Sequence, residues 1–259
     1  MTDSKQFITK LNEEIQRHPA VHHSFLEMVS SRPFSRKAWL AFAQQLYPHV
    51  HFFIPYMEEM LLATFDMNAK LIVAKILLDE YGEDAGGNSH PELFRRFARS
   101  CDPGADATLL STPLDPSTIS LVEKHMALCQ KEPFLVSIGA IGEAHEYAIG
   151  FLFPPLVKGL VLSGFKPEEI EFFSLHVDHD VLHSQMLEEA MIRLAVTEAD
   201  CELIRKGTMA SLACRAELWS GMQRRMLAVE NGEPLPPAGV TCTELTKNYK
   251  NVPATFWPA

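Results

Sequence analysis

Residues 176–183 read HVDHDVLH, three histidines and two aspartates within eight positions. On an α-helix His176, Asp180 and His183 stand at i, i+4 and i+7 and fall within ~60° of one another. They form one stripe, with Asp178 on the far side and His179 on its flank, among the apolar neighbours Leu175, Leu182 and Met186. Burying such groups without partners is costly. Metal coordination is one compensation, and a structural hydrogen-bond network is the other.

Three further stretches carry groups of the same kind. In VSIGAIGEAHEYAIGFLF, residues 136–153, Glu143 and Glu146 interrupt an otherwise apolar run. In α-helical spacing Gly142 and Gly150 flank Glu146 one turn to either side, and Gly139 sits a further turn back. Small residues there leave room for a ligand or for a close helix–helix contact. Glu143 is either a second acid on that side or a solvated neighbour. In LLDEYGEDAGGNSHPELFRRF, residues 77–97, Glu80 closes an apolar helix and His90 opens the next beyond a glycine-rich loop. Glu83, Asp84 and Glu92 read as solvated. In YPHVHFFIPYMEEM, residues 47–60, His49 and His51 lie among aromatics in a helix that Pro48 and Pro55 should kink or interrupt. Glu58, seven residues after His51, shares roughly its face.

Carboxylates and imidazoles arriving from separate helices are the recipe for di-iron or di-manganese sites in helical proteins. That donor set, with no thiolate, suits iron or manganese more than zinc or copper. A ferritin-type bundle would carry two Glu-x-x-His motifs, and the chain offers no such pair.

The elements that must position these groups are helices. Helix-like patterns cover residues 5–18, 20–30, 36–65, 68–81, 90–100, 117–130, 133–162, 168–196 and 198–230, with a loop at 102–117. Ser35 is placed as an N-cap, glycines end the helix after Tyr81, and Pro133 fits a first turn. The expectation is one all-α domain over residues 1–230, followed by a Pro-rich tail, 231–259, draped over it or extending from it.

A chain of 259 residues is long enough for a closed core, and 47 % hydrophobic content is ordinary for a globular protein. The net charge of −10 argues against nucleic acid and anionic membranes as partners. The start MTDSKQFITK lacks the apolar segment of a secretory signal, and no run spans a bilayer. Five scattered cysteines, Cys101, Cys129, Cys201, Cys214 and Cys242, form no CxxC pair, which fits a reducing cytoplasm. Oligomeric state is left open, a homodimer included.

The order of these elements resembles the haem-oxygenase-like diiron oxidase and oxygenase family. That group shares a seven-helix fold with haem oxygenase, the thiaminase-II proteins and the pyrroloquinoline-quinone synthase. The resemblance runs over residues 35–195 and rests on His176, Asp180 and His183, on Glu146, and on the DEYGED…HPELFRRF segment. It implies Glu80, His90, Glu146, His176, Asp180 and His183 as ligands to two Fe(II) ions, with manganese as an alternative. Where the family has an early-helix glutamate this chain has His51, implied as a seventh ligand or an outer-sphere group, with Glu58 as a substitute. The activity implied is activation of O₂ to oxidise a small carboxylate-bearing substrate, such as an amino or fatty acid, by N-oxygenation, desaturation or oxidative C–C cleavage. Phe52, Phe53 and Phe153 would wall that substrate beside Gly139, Gly142 and Gly150. The rivals are a metal-independent, thiaminase-II-like or quinone-synthase-like enzyme using the cluster for acid–base chemistry, and a non-enzymatic interaction protein. Haem bound near His18, His22 or His23 ranks below all of these, because it leaves the later carboxylates unexplained.

Overall fold

A computed structural model of the chain describes residues 3–83 and 86–253, with the side chains of 178–181 excepted. The described residues are helical nearly throughout, and the only β pairing among them is an isolated bridge between Pro113 and Thr241. The first seven helices are α1 Ser4–Gln16, α2 Ser24–Ser31, α3 Arg36–Leu62, α4 Met67–Glu80, α5 His90–Cys101, α6 Ala105–Ser111 and α7 Pro116–Lys131. Then α8 Phe134–Ile138 runs through a π-helical segment, Gly139–Tyr147, into α9 Ala148–Leu162. The chain ends with α10 Glu171–Leu194, α11 Glu198–Asn231 and α12 Cys242–Thr246. None of these helices is long and apolar enough to cross a membrane.

Helix starts fall where side chains can satisfy the free backbone N–H groups. The side chains of Ser35, Asp66 and Asp115 accept from the N–H of Ala38, Ala69 and Ser117 to open α3, α4 and α7. Thr197 and Asp200 cap each other reciprocally at the start of α11, and Gly232, with φ +67°, closes it.

Four segments bear on the sequence reading, and two of them, 102–117 and 133–162, differ from it. Helix α3 continues through Pro48 and Pro55 instead of breaking. An interior proline costs ~3 kcal/mol, and α3 packs along its length against α4, α5, α7 and α11, which offsets it. The expected loop at 102–117 holds α6, whose Asp106 pairs with Arg95 and Arg99 of α5. The run at 133–162 changes helical type in its middle. The Pro-rich tail turns back onto the body: Pro236 and Pro237 carbonyls accept from Arg225, Leu114 N–H donates to Val240, and α12 lies against α6.

The glycines beside Glu146 also divide. Gly139 and Gly207 let the π segment and α11 meet backbone to backbone, against Ile204 O and Val136 O respectively. A Cβ on Gly142 would sit 3.1 Å from Leu187, whereas one on Gly150 would meet nothing within 4 Å. Replacing Gly207 with Ala should therefore lower stability by about 1–3 kcal/mol by forcing two backbones apart. Gly150→Ala should be neutral or stabilising, since alanine is the better helix former in open space. Urea denaturation of the two variants beside the parent checks both.

Candidate metal centre

Four elements converge on one buried point. Glu80 is the last residue of α4, and the chain must reverse sharply to bring His90, the first of α5, back beside it. Gly82 makes that reversal possible: its φ of +99° is open to glycine, and a Cβ there would lie 2.5 Å from the Asn88 carbonyl carbon. His90 Nδ1 lies 3.0 Å from Glu80 Oε2. From α10, His176 brings its ring to 4.5 Å from that of His90. One donor atom from each of Glu80, His90 and His176 lies within 4.8 Å of the others, and all three side chains are buried.

His183, two turns after His176, reaches the same region. Its Nδ1 is 3.4 Å from Glu146 Oε2 and its Nε2 is 3.2 Å from Asp79 Oδ2. Asp79 also lies 3.8 Å from His90 Nε2. The sequence reading passed over Asp79; its signal was a second acid beside Glu80 at the end of a mostly apolar helix. The expected ligand Asp180, with Asp178 and His179, lies outside the described side chains.

Protonation follows burial and neighbours. Burial holds His176 well below the usual imidazole range, with His90 adding to the effect. The His176 Nδ1–H donates to the Phe172 carbonyl at 2.5 Å, which leaves the Nε2 lone pair available. Burial also lowers His90, but Glu80 and Asp79 together outweigh it and raise its pKa. Burial raises Glu146 against the opposing pull of His183.

His51 is buried in α3. Its Nε2–H donates to the Pro253 carbonyl at 2.9 Å, so the returning tail engages the position expected to supply a seventh ligand. Glu58 lies elsewhere, accepting from the Tyr81 hydroxyl at 2.6 Å. Glu143 is neither solvated nor in the cluster. It is fully buried, its oxygens have no hydrogen-bond partner among the described residues, and desolvation drives its pKa well up.

The π segment, Gly139–Tyr147, carries both Gly142 and Glu146. Gly142 meets Leu187 and Glu146 meets His183, so the two still face α10 together, as their four-residue spacing expects. Gly142 packs on Leu187 and Met191, while Glu146 and its neighbour His145 both line an inner cavity of about 40 Å³ with Glu80, His90 and His176. Of the aromatic walls expected, Phe53 and Phe153 line this cavity, together with Phe172. Phe52 packs instead against Tyr249 and Tyr56. Gly150 borders a wider cleft of about 340 Å³ that shares Glu146 and His176 with the inner cavity.

A second polar cluster contributes to the lining of the same cavity. His125 Nδ1–H donates to the Leu121 carbonyl at 2.7 Å, which leaves His125 Nε2 one lone pair to accept with; Ser211 Oγ at 2.8 Å and His145 Nε2 at 3.0 Å both approach it, and those two lie 3.4 Å apart. His145 Nδ1 then accepts from Arg215, which also donates to His49 Nε2. Burial, reinforced by Arg215, drives His49 and His145 well below the ordinary imidazole value. No spacing rule links His49, His125, His145 and Arg215 in the sequence.

A buried, all-helical site built of histidine and carboxylate donors with no cysteine defines a class: helical proteins equipped for a non-haem metal. The chain belongs to the iron-containing redox enzyme family, whose profile matches residues 40–216. It is 28% identical over 192 residues to a 4-aminobenzoate synthase of Nitrosomonas europaea, covering 69% of this chain and 75% of that protein. The fold is haem-oxygenase-like. A domain of unknown function with that fold from Shewanella denitrificans superposes with a TM-score of 0.72 at 15% identity, over 90% of this chain and 96% of that one. A CADD-like protein of unknown function from Nostoc punctiforme gives 0.70 at 17% identity, over 85% and 96%.

The buried histidines give a pH dependence of known sign. Burial is the main cause that lowers His125 to about 4, with Arg215 adding to it and the Leu121 bond opposing it. The unfolded chain, near 6.5 at this position, takes up the proton first. Stability from this residue is therefore present above pH 6.5 and lost as pH falls towards 4. Between pH 7 and 5 the metal-free parent should lose about 2 kcal/mol more than His125→Gln. Urea denaturation of both proteins at the two pH values measures the difference.

Proposed function

We propose that this chain is a non-haem diiron oxidase or oxygenase that uses O₂ to oxidise a small carboxylate-bearing substrate. The observation that carries the reading is the buried meeting of Glu80, His90 and His176 from three helices. Glu146, His183 and Asp180 complete the proposed ligand set, with Asp79 holding His183 and His90. These nitrogen and oxygen donors fit iron, with manganese second. When bound, iron supplies the one-electron and O₂ chemistry that side chains lack.

The chain's own residues do the rest. Phe172 fixes the His176 ring so that its lone pair faces the cluster. Glu80 and Asp79 orient His90. Phe53, Phe153 and Phe172 keep water from the inner cavity, which strengthens every polar contact inside it. The product named for the N. europaea relative, 4-aminobenzoate, is itself a small carboxylate-bearing molecule. A reducing, cytoplasmic setting accords with cysteines that are all free.

Reconstitution tests this. Protein purified without oxygen and given ferrous iron should retain about two ions per chain. His176→Ala and Glu80→Ala should each lose at least half of that iron, and the loaded parent should consume O₂ faster when a substrate acid is present. Retention of less than one ion per chain, or full retention by both variants, would sink the metal reading.

A further inference from the structure

Beside the cluster, the same cavity is lined by a buried cation without a counter-ion among the described residues. Arg215 is 2 % exposed, yet no carboxylate pairs with it among the described residues. Its hydrogen bonds go to His49 Nε2 at 3.1 Å and to His145 Nδ1 at 2.5 Å. Neither ring can neutralise it. His145 is committed as an acceptor here because a guanidinium can only donate. Burial lowers the Arg215 pKa only to about 10, so it stays charged at neutral pH.

Two polar atoms of this group have no hydrogen-bond partner among the described residues, Arg215 Nε and His49 Nδ1. Both are donors. A guanidinium Nε always carries hydrogen, and His49, accepting at Nε2, carries its proton on Nδ1. Arg215, His49 and His145 all line the inner cavity with Glu80, His90, Glu146 and His176. An uncompensated buried charge and an unsatisfied buried donor each cost stability. A site that keeps both is built for something that supplies acceptors and one negative charge.

We propose that Arg215 and His49 form a carboxylate-binding site that holds the substrate's acid group in the cavity beside the metal cluster. The anion site stands on this geometry alone. That its occupant is the substrate rests on the function proposed above. A carboxylate offers two in-plane acceptor oxygens to a planar guanidinium. Its compactness suits a free space of about 40 Å³. The carboxylates of Glu80 and Glu146 in the same lining repel a second acid, so the anionic end is sent to Arg215.

The test uses metal-free protein with formate, acetate, benzoate and the neutral benzamide, read by thermal shift and calorimetry. At least one carboxylate should bind and raise the melting temperature. Arg215→Gln should weaken that binding at least tenfold, Arg215→Lys should restore part of it, and benzamide should bind at least tenfold more weakly than benzoate wherever benzoate binds. The proposal is overturned if none of the three acids binds at concentrations up to about 50 mM, if Arg215→Gln binds as well as the parent, or if benzamide matches benzoate. Should Arg215→Gln fail to fold, the series of acids and the amide on the parent still decides. Iron uptake measured in parallel separates the two readings: uptake without acid binding removes this inference alone, and acid binding without uptake removes the metal reading alone.

Discussion

The cost of placing ionisable groups in a helical interior governs this structure. Removing an ion from water still costs several kcal/mol after relaxation, and here acids, imidazoles and a guanidinium surround a single cavity. Groups of that kind persist only if each is paired, neutralised by a shifted pKa, or reserved for a ligand. All three solutions occur. His90 is paired with Glu80, burial keeps His176 neutral, and Arg215 has neutral partners only among the described residues. The surrounding architecture serves to bring these side chains together: the glycine-permitted reversal at Gly82, the change of helical type at Gly139–Tyr147, and the close contact of Gly139 and Gly207.

How much of this the sequence disclosed depends on the range of the signal. His176 and His183 were legible because helical periodicity alone puts them on one stripe. Glu80 and His90 were legible because each sits at a helix end beside a glycine-rich loop. Glu146 stood out as a charge in an apolar run. Asp79 was missed because its neighbour Glu80 drew the inference, although both prove buried. The contact of His51 with the tail was not legible, because nothing local announces that residue 253 returns to it. The polar network beside the cluster is assembled from α3, α7, the π segment and α11, and no local pattern encodes such a meeting. A weak trace did exist: Arg215 lies in MASLACRAELWSGM, where Leu212, Leu218, Trp219 and Met222 are buried around it.

The π segment is the clearest case of physics that periodicity does not reveal. Residues 136–153 read as one amphipathic helix, and α-helical spacing assigned Gly142 and Gly150 to the face of Glu146. Gly142 and Glu146 do both face α10, against Leu187 and His183, and two consecutive side chains, His145 and Glu146, both reach the cavity. One segment thus serves the acidic group with Glu146 and the donor group with His145.

Those two groups are complementary in sign. In one, the hydrogen bonds run in a single direction. The Leu121 carbonyl fixes the His125 tautomer, and Arg215, which can only donate, fixes that of His145. Because each ring is neutral and already committed, the chain of bonds cannot reverse without breaking a buried contact, and it ends at Arg215 and His49, which line the cavity. The other holds the carboxylates of Glu80 and Glu146. A molecule with one acidic end thus meets attraction at one group and repulsion at the other, and its orientation is set before any chemistry begins. Positioning of that kind lowers the entropic part of a barrier, and it requires the buried charge on Arg215 to remain unpaired in the empty protein. The stability given up at that residue is the physical counterpart of the orientation gained.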